Sequence, residues 1–302
     1  MSLYPIDLKD WLGIPWDGEV FGVDPGNGSD SYTGKKRNQC FATMQAAIDA
    51  CTDNQGDLII RFPGSETVTS SITVDCAGIT IISTNALAAL RGIGSGGNPR
   101  EPEKFSTYPS TSMTGPTFLV SQPCTIMGIE VVGRNTTSAY IDAATTSGAA
   151  LALAGHGGGY SGGFCHIKWC RFVDWWGNDY GIEMAAGAYN LIEECTFEGY
   201  GAGVYIRGTS TNNPAYNVIQ RCKFIDCTNG IEHRTGYTPG NFVYQENVFV
   251  DYTDAIDFNN TAANGSVLGN YYDTATDAAT YDVTVGTAQA FGVQFAGNNY
   301  SE

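Results

Sequence analysis

Apolar and polar positions alternate along the second half of the chain in short runs that restart at a nearly fixed interval. In "NLIEECTFEGYGAGVYIRG", residues 190–208, Ile192, Cys195 and Phe197 are followed by Val204 and Ile206, with Gly201 and Gly203 where the run breaks. The pattern apolar-x-x-Cys/Asn-x-aromatic recurs as "IKWCRF", "IEECTF", "IQRCKF", "YQENVF" and "VLGNYY". Its fourth position falls on Cys170, Cys195, Cys222, Asn247 and Asn270, spaced 25, 27, 25 and 23 residues apart. A period of that size marks a solenoid, in which no single repeat buries its own apolar face. Runs of period two rich in Val, Ile, Phe and Tyr, interrupted by Gly, Asn and Asp, are strands separated by turns. With two or three strands per repeat, each strand stacks in parallel on its equivalent one coil later, and such crossovers are right-handed in about 98% of cases. The pattern therefore predicts an all-β fold, a right-handed parallel β-helix, with Ile192, Phe197, Ile219, Phe224 and Phe249 inside.

Upstream the period changes. "CFATMQAAIDACTD" sets Phe41, Met44, Ala47, Ile48 and Cys51 on one face of a short helix, residues 41–52, with Thr43 as N-cap. "GDLIIRFPG" and "SSITVDCAGITIIS" read as the first strands, so the helix plugs the open end of the solenoid core. The organisation expected is a docking or capping segment over 1–22, a β-helix over 23–285, and a C-terminal strand or cap over 286–302. Residues 91–115 are rich in Gly, Pro, Ser and Thr without periodicity and read as a loop leaving the barrel. In the first segment Tyr4, Trp11, Ile14 and Trp16 supply apolar surface, either for docking or for covering the first coil.

The stretch "VDPGNGSDSYTGKKRNQCFATMQAAIDACTDNQGDLIIRFPG", residues 23–64, resembles the opening of pectate-lyase-like parallel β-helix proteins: a Gly/Asn/Asp-rich turn, a capping helix and a strand ending in Pro-Gly. It departs at Cys40, where that superfamily usually has Pro. The later coils resemble the superfamily's Asn-x-Phe and Gly-Ile repeat. The resemblance implies the β-helix; it specifies fold far better than activity. Such openings are also common in β-helix proteins encoded by tailed bacteriophages.

Charge and cysteine narrow the classes. Fifteen Lys and Arg against 31 Asp and Glu give a formal charge of −16, and no basic block occurs, which argues against a nucleic-acid partner. No stretch approaches 18 apolar residues, so no membrane-spanning helix is expected. The opening lacks the basic start and apolar run of a secretory leader. The nine cysteines, an odd number in a long chain, do not make a disulfide framework, and Cys170, Cys195 and Cys222 fall one coil above another. A reduced internal ladder is expected, with no structural metal.

Candidate chemistry comes from columns, because stacking brings equivalent residues of successive coils about 4.8 Å apart. Asp174, Asp226 and Asp251 fall in one column, with Trp175, Tyr200 and Tyr252 one position on. Aromatic rings beside carboxylates suit a sugar site, so Trp175, Tyr200, Asp226, Asp251 and Tyr252 are the candidate ligand-binding residues. Asp at these positions equally suits a turn. A second column expected to face outward holds Glu183, Tyr205, Glu232 and Asp257, followed by Arg207 and Arg234. Glu232, Asp257 and Arg234 are the candidates for catalysis, and the two carboxylates could share a raised pKa or hold Ca2+; the alternative is a surface ion network. His233 has inward parity and reads as a core histidine. No cofactor is otherwise implied.

Three function classes fit such a face. One is a virion structural or attachment protein of a tailed bacteriophage (spike, fibre or capsid decoration), assembled in the host cytoplasm, contacting other virion proteins and host-surface polysaccharide; the resemblance to phage spikes implies a homotrimer. The second is a polysaccharide lyase or glycoside hydrolase. The third is a non-catalytic binding module.

Overall fold

The computed structural model describes Leu8 and residues 17–90, 106–109, 116–132, 151–153, 163–174, 180–184, 187–207, 214–233, 240–258, 264–273, 283–284, 293–296 and 299–300. These residues form a parallel β-helix of three sheets, and each coil from Leu58 to Thr284 contributes one strand to each sheet in turn. Sheet 1 has ten strands, from Val20–Val23 to Val293–Ala296; sheet 2 has nine, from Glu66–Val68 to Asn299–Tyr300; sheet 3 has eight, from Ile72–Val74 to Val283–Thr284. Every strand but those at the ends of a sheet pairs in parallel with its equivalent in the coils above and below. Most strands are only three to five residues long, and the alternation of side chains decides which face is buried.

The core is built from registered columns. Ile167, Ile192, Ile219, Tyr244 and Val267 line up under sheet 1. Phe172, Phe197, Phe224, Phe249 and Tyr272 line up under sheet 2, with successive ring centroids 5.1, 4.9, 4.8 and 5.4 Å apart. Ile182, Val204, Ile231 and Ile256 complete the third wall. All five core residues expected from the sequence are buried. Gly203 makes room for the aromatic column, since a Cβ there would lie 2.5 Å from the Phe224 ring.

At most of the described corners one residue with left-handed backbone turns the chain. Between sheets 1 and 2 this residue is Gly128, Trp169, Glu194, Arg221, Glu246 or Gly269 (φ +52 to +66°). Between sheets 2 and 3 it is Gly199, Asp226 or Asp251, and between sheets 3 and 1 it is Phe164, Tyr189, Tyr216 or Asn241. The left-handed residue points outward and its successor turns in. For an ordinary L-residue this backbone costs about 1–2 kcal/mol, least for Asp and Asn. At Gly199 no other residue fits, because a Cβ would sit 1.9 Å from the Asp174 carbonyl oxygen.

At the first corner the inward successors are Cys170, Cys195, Cys222, Asn247 and Asn270. The three thiols donate to the carbonyls of Ile126, Ile167 and Ile192 at 3.7, 3.6 and 3.7 Å, one coil back. Asn247 and Asn270 make the same bond to Ile219 and Tyr244, at 3.0 and 3.1 Å. Each Asn also accepts, Asn247 from the Cys222 amide and Asn270 from the Asn247 amide, both at 2.9 Å. The thiol is thus a weaker donor in the place of an amide. Burial is the main cause that lifts the Cys195 thiol well above its ordinary pKa, and all nine cysteines are free.

The amino-terminal end is capped by helix α1, Met44–Asp49, whose Met44, Ala47 and Ile48 close the core. It is shorter than the span 41–52. Asp30 accepts the amides of Ala42 and Thr43, and Glu66 that of Met44, so helical bonding starts only there; Phe41 instead bridges Val23 in extended form. Thr43 is the N-cap, accepting from Ala46 at 3.3 Å. Helix α2, Thr84–Leu90, was not evident from the pattern. It lies on the outer face of sheet 1, where Leu8, Val20, Leu58, Ile60, Phe62, Ile82 and Leu87 form a second apolar cluster. Leu8 donates its amide to Lys35 O at 2.8 Å, which places this point of the first segment as a cover over the first coils; Tyr4, Trp11, Ile14 and Trp16 lie outside the described residues. Within 91–115, read as a loop, Ser106–Pro109 is a strand paired with Glu66–Val68, and the remaining residues up to 115 lie outside the described set.

The substitution Cys222→Asn should extend the amide ladder by one coil, donating to Ile192 O and accepting from the Cys195 amide. Chemical denaturation should show a stability equal to wild type or higher by about 1 kcal/mol, whereas Cys222→Ala should lose about 1 kcal/mol.

Candidate functional site

Strand Tyr180–Met184 of sheet 3 sends Ile182 and Met184 inward and Tyr180 and Glu183 outward. The register then aligns Glu183, Tyr205, Glu232 and Asp257 in one outer column and Tyr180, Ala202, Asn229 and Asp254 in another. The Tyr180 and Tyr205 rings stack at 4.1 Å and 9°. Tyr205 is buried and Tyr180 half-buried, so Tyr180 is the accessible ring of the pair. Glu183 is fully enclosed although it stands on the outer side, and the Arg207 Nε lies 3.2 Å from its Oε1. Two coils on, Asn229 donates to Glu232 at 2.9 Å, and Glu232, Asp254 and Asp257 remain half-buried. Among the described residues no group of three or more His, Cys, Asp or Glu is placed to hold a metal ion.

The first candidate column is corrected by the corners. Asp226 and Asp251 are left-handed turn residues, exposed at the second corner, and the residues after them turn into the core. Tyr200 is accordingly 1% exposed, and Tyr252 is half-buried, edge-on to Phe249 at 6.2 Å. Tyr200 therefore offers no ring face beside the aspartates, and Tyr252 packs partly against the core. Asp174, counted in the same column, is buried. Trp175 and Arg234 lie outside the described residues. His233 does face inward: it bonds the Tyr244 hydroxyl at 2.8 Å, and burial lowers its pKa to about 3, so it is a neutral core histidine.

The family model described as a right-handed β-helix region matches residues 128–299, more than half of the chain. This chain belongs to the right-handed β-helix family. No curated protein matches it. Among solved structures, a pectate lyase aligns over 98% of this chain and 79% of its own, at 15% identity and a TM-score of 0.57. A pectin methylesterase from Aspergillus niger aligns over 95% and 87%, at 8% identity and 0.59. A rhamnogalacturonan lyase aligns over 94% and 74%, at 14% identity and 0.52. At these identities the likeness is one of fold.

Two features of this right-handed β-helix were missed in the sequence. The first is the aromatic column at the third corner, where Phe164, Tyr189 and Tyr216 are 63%, 50% and 48% exposed. Their rings stack at 5.0 and 4.8 Å. The signal was present as an aromatic directly before Cys165, Asn190 and Asn217, but only the left-handed backbone shows that it faces out. The second is a polar hub on the outer face of sheet 1. Glu193 accepts from Lys168 at 2.8 Å, from His166 and Gln220 at 2.9 Å each, and from Arg221. Burial pushes this carboxyl up, yet the donors, Lys168 foremost, outweigh it and bring the pKa down to about 2.

Because the folded value lies below the ordinary 4.5, the stabilisation from this hub is complete above about pH 4.5 and disappears as pH falls towards 2. Wild type should lose on the order of 2 kcal/mol across that window through this group, allowing for screening of the partly exposed donors. Glu193→Gln, followed by thermal melts from pH 7 to 2, should lower stability at neutral pH and flatten the acid slope.

Proposed function

We propose that this β-helix recognises a polysaccharide on the outer face of sheet 3, as an attachment protein rather than a depolymerase. The observation that carries this reading is the accessible Tyr180 ring, backed by Tyr205, on the same face as Asn229, Glu232, Asp254 and Asp257. A ring of that kind takes the apolar face of a pyranose, while carboxylates and an amide bond its hydroxyls. The net charge of −16 and the acids on this face disfavour a polyanionic glycan. The setting we propose is the virion of a tailed bacteriophage, as a trimeric spike, fibre or decoration subunit meeting host-surface glycan; the resemblance of residues 23–64 to phage-encoded β-helix openings supports it.

The register neighbours Glu232 and Asp257 favour one further reading, cleavage of a glycan by a carboxylate pair, since parallel strands hold them about 4.8 Å apart. Assay of purified protein against a panel of soluble neutral and acidic polysaccharides separates the two. Recognition predicts that Tyr180→Ala weakens binding about fivefold, roughly 1 kcal/mol, and that no oligosaccharide is released. Release that Glu232→Gln or Asp257→Asn abolishes, with binding kept, would replace recognition by cleavage.

A further inference from the structure

The corner between sheets 3 and 1 lies on a different part of the surface from the face just described, and it combines four observations. First, Phe164, Tyr189 and Tyr216 all adopt left-handed backbone, which bulky aromatic residues disfavour, and remain about half exposed or more, so burial does not offset the strain. Second, among the described residues neither the Tyr189 nor the Tyr216 hydroxyl has a hydrogen-bond partner. Third, the outer positions that follow on sheet 1 form two rows in register: His166, Leu191, Val218 and Val243, of which the last three are half-buried aliphatic groups, and Lys168, Glu193, Gln220 and Gln245, of which the last two bond through their amides at 2.7 Å. Fourth, the cations beside that row are already neutralised: Lys168 by Glu193, and Arg221 by Glu193 and Glu194.

We propose that this strip is a second binding site, for a neutral linear polysaccharide lying along the solenoid axis. Rings recur at the coil spacing over three coils, from Phe164 to Tyr216, aliphatic groups over three, from Leu191 to Val243, and amides over two, at Gln220 and Gln245, so a polymer with its own repeat meets like contacts on successive coils. The exposed rings and aliphatic row offer apolar contact to sugar C–H groups; the phenol hydroxyls and amides offer both donors and acceptors to sugar hydroxyls. Among the described residues Lys168, His166 and Arg221 are all paired with Glu193, so the row draws a polyanion weakly, which makes the favoured polymer uncharged.

Asn241 follows Tyr216 in the same column with φ +55°, so asparagine suits this backbone position. The triple variant Phe164→Asn, Tyr189→Asn, Tyr216→Asn therefore removes the rings while keeping the corner. Affinity electrophoresis in gels of hydroxyethyl cellulose, glucomannan or polygalacturonate, with melting temperatures measured in parallel, tests the site. The expected result is retardation by at least one neutral polymer, weakened tenfold or more in the triple variant, with an unchanged or raised melting temperature. If the triple variant proves unstable, Tyr189→Phe with Tyr216→Phe keeps every ring and should still weaken binding twofold to fivefold. Three results would overturn the proposal: no retardation of wild type by either neutral polymer, retardation by polygalacturonate alone, or neutral-polymer binding that neither variant alters. A change in sedimentation of the triple variant with binding unaltered would assign the strip to contact with a second copy instead, and overturn it too. Tyr180→Ala distinguishes the two faces: retardation lost only in that variant supports recognition by sheet 3 and removes the strip, and the reverse removes sheet 3 and keeps the strip.

Discussion

A single left-handed residue at most corners, repeated at equivalent positions in successive coils and without a break at the first corner from Gly128 to Gly269, is the constraint on which the molecule depends. It ends one short strand and reverses the alternation, so that the residue at the corner faces solvent and its successor faces the core. Trp169 before Cys170, Asp226 before Cys227 and Tyr189 before Asn190 are the same device at three corners. Because strands of three residues bury little by themselves, the corners must agree between coils for the Ile and Phe columns to stack at all.

The inner and outer surfaces then follow from one register. Inside, the first corner supplies a ladder of donors to the preceding coil, thiols at first and amides later, which meets the demand that buried carbonyls be paired. Outside, the same repetition turns residues that are distant in sequence into rows. The Arg171 guanidinium between Glu130 and Glu198, at 2.8 and 2.7 Å, and the hub at Glu193 show rows that stabilise the coil. The stacked Phe164, Tyr189 and Tyr216, half exposed on a disfavoured backbone, form a row for which stability gives a poorer account.

The period and the core were legible in the sequence because both rest on local alternation: Cys170 to Asn270 fixed the coil length, and Phe197, Phe224 and Phe249 are buried as their parity requires. The fate of Tyr200 was not legible. Its parity counted from Phe197 points outward, but Gly199 inserts a left-handed step and sends the ring inside. Every column drawn past a corner inherits that uncertainty, which is why Asp226 and Asp251 are turn residues while Glu232 and Asp257, counted within a strand, do face out. The short extent of α1 was hidden for another reason: its start is set by Asp30 and Glu66, which the apolar pattern does not register.

Recognition of a long polymer by surface rows is the central claim about function, and it makes a statement about direction. Hydrogen–deuterium exchange of the protein with and without a saturating neutral polysaccharide reads that direction at once. Polymer recognition requires new protection at equivalent positions of at least three successive coils, around Phe164, Tyr189 and Tyr216 or around Tyr180, Tyr205 and Glu232, forming a band along the axis. Protection confined to one coil or to the capped end, or none at all, would contradict it.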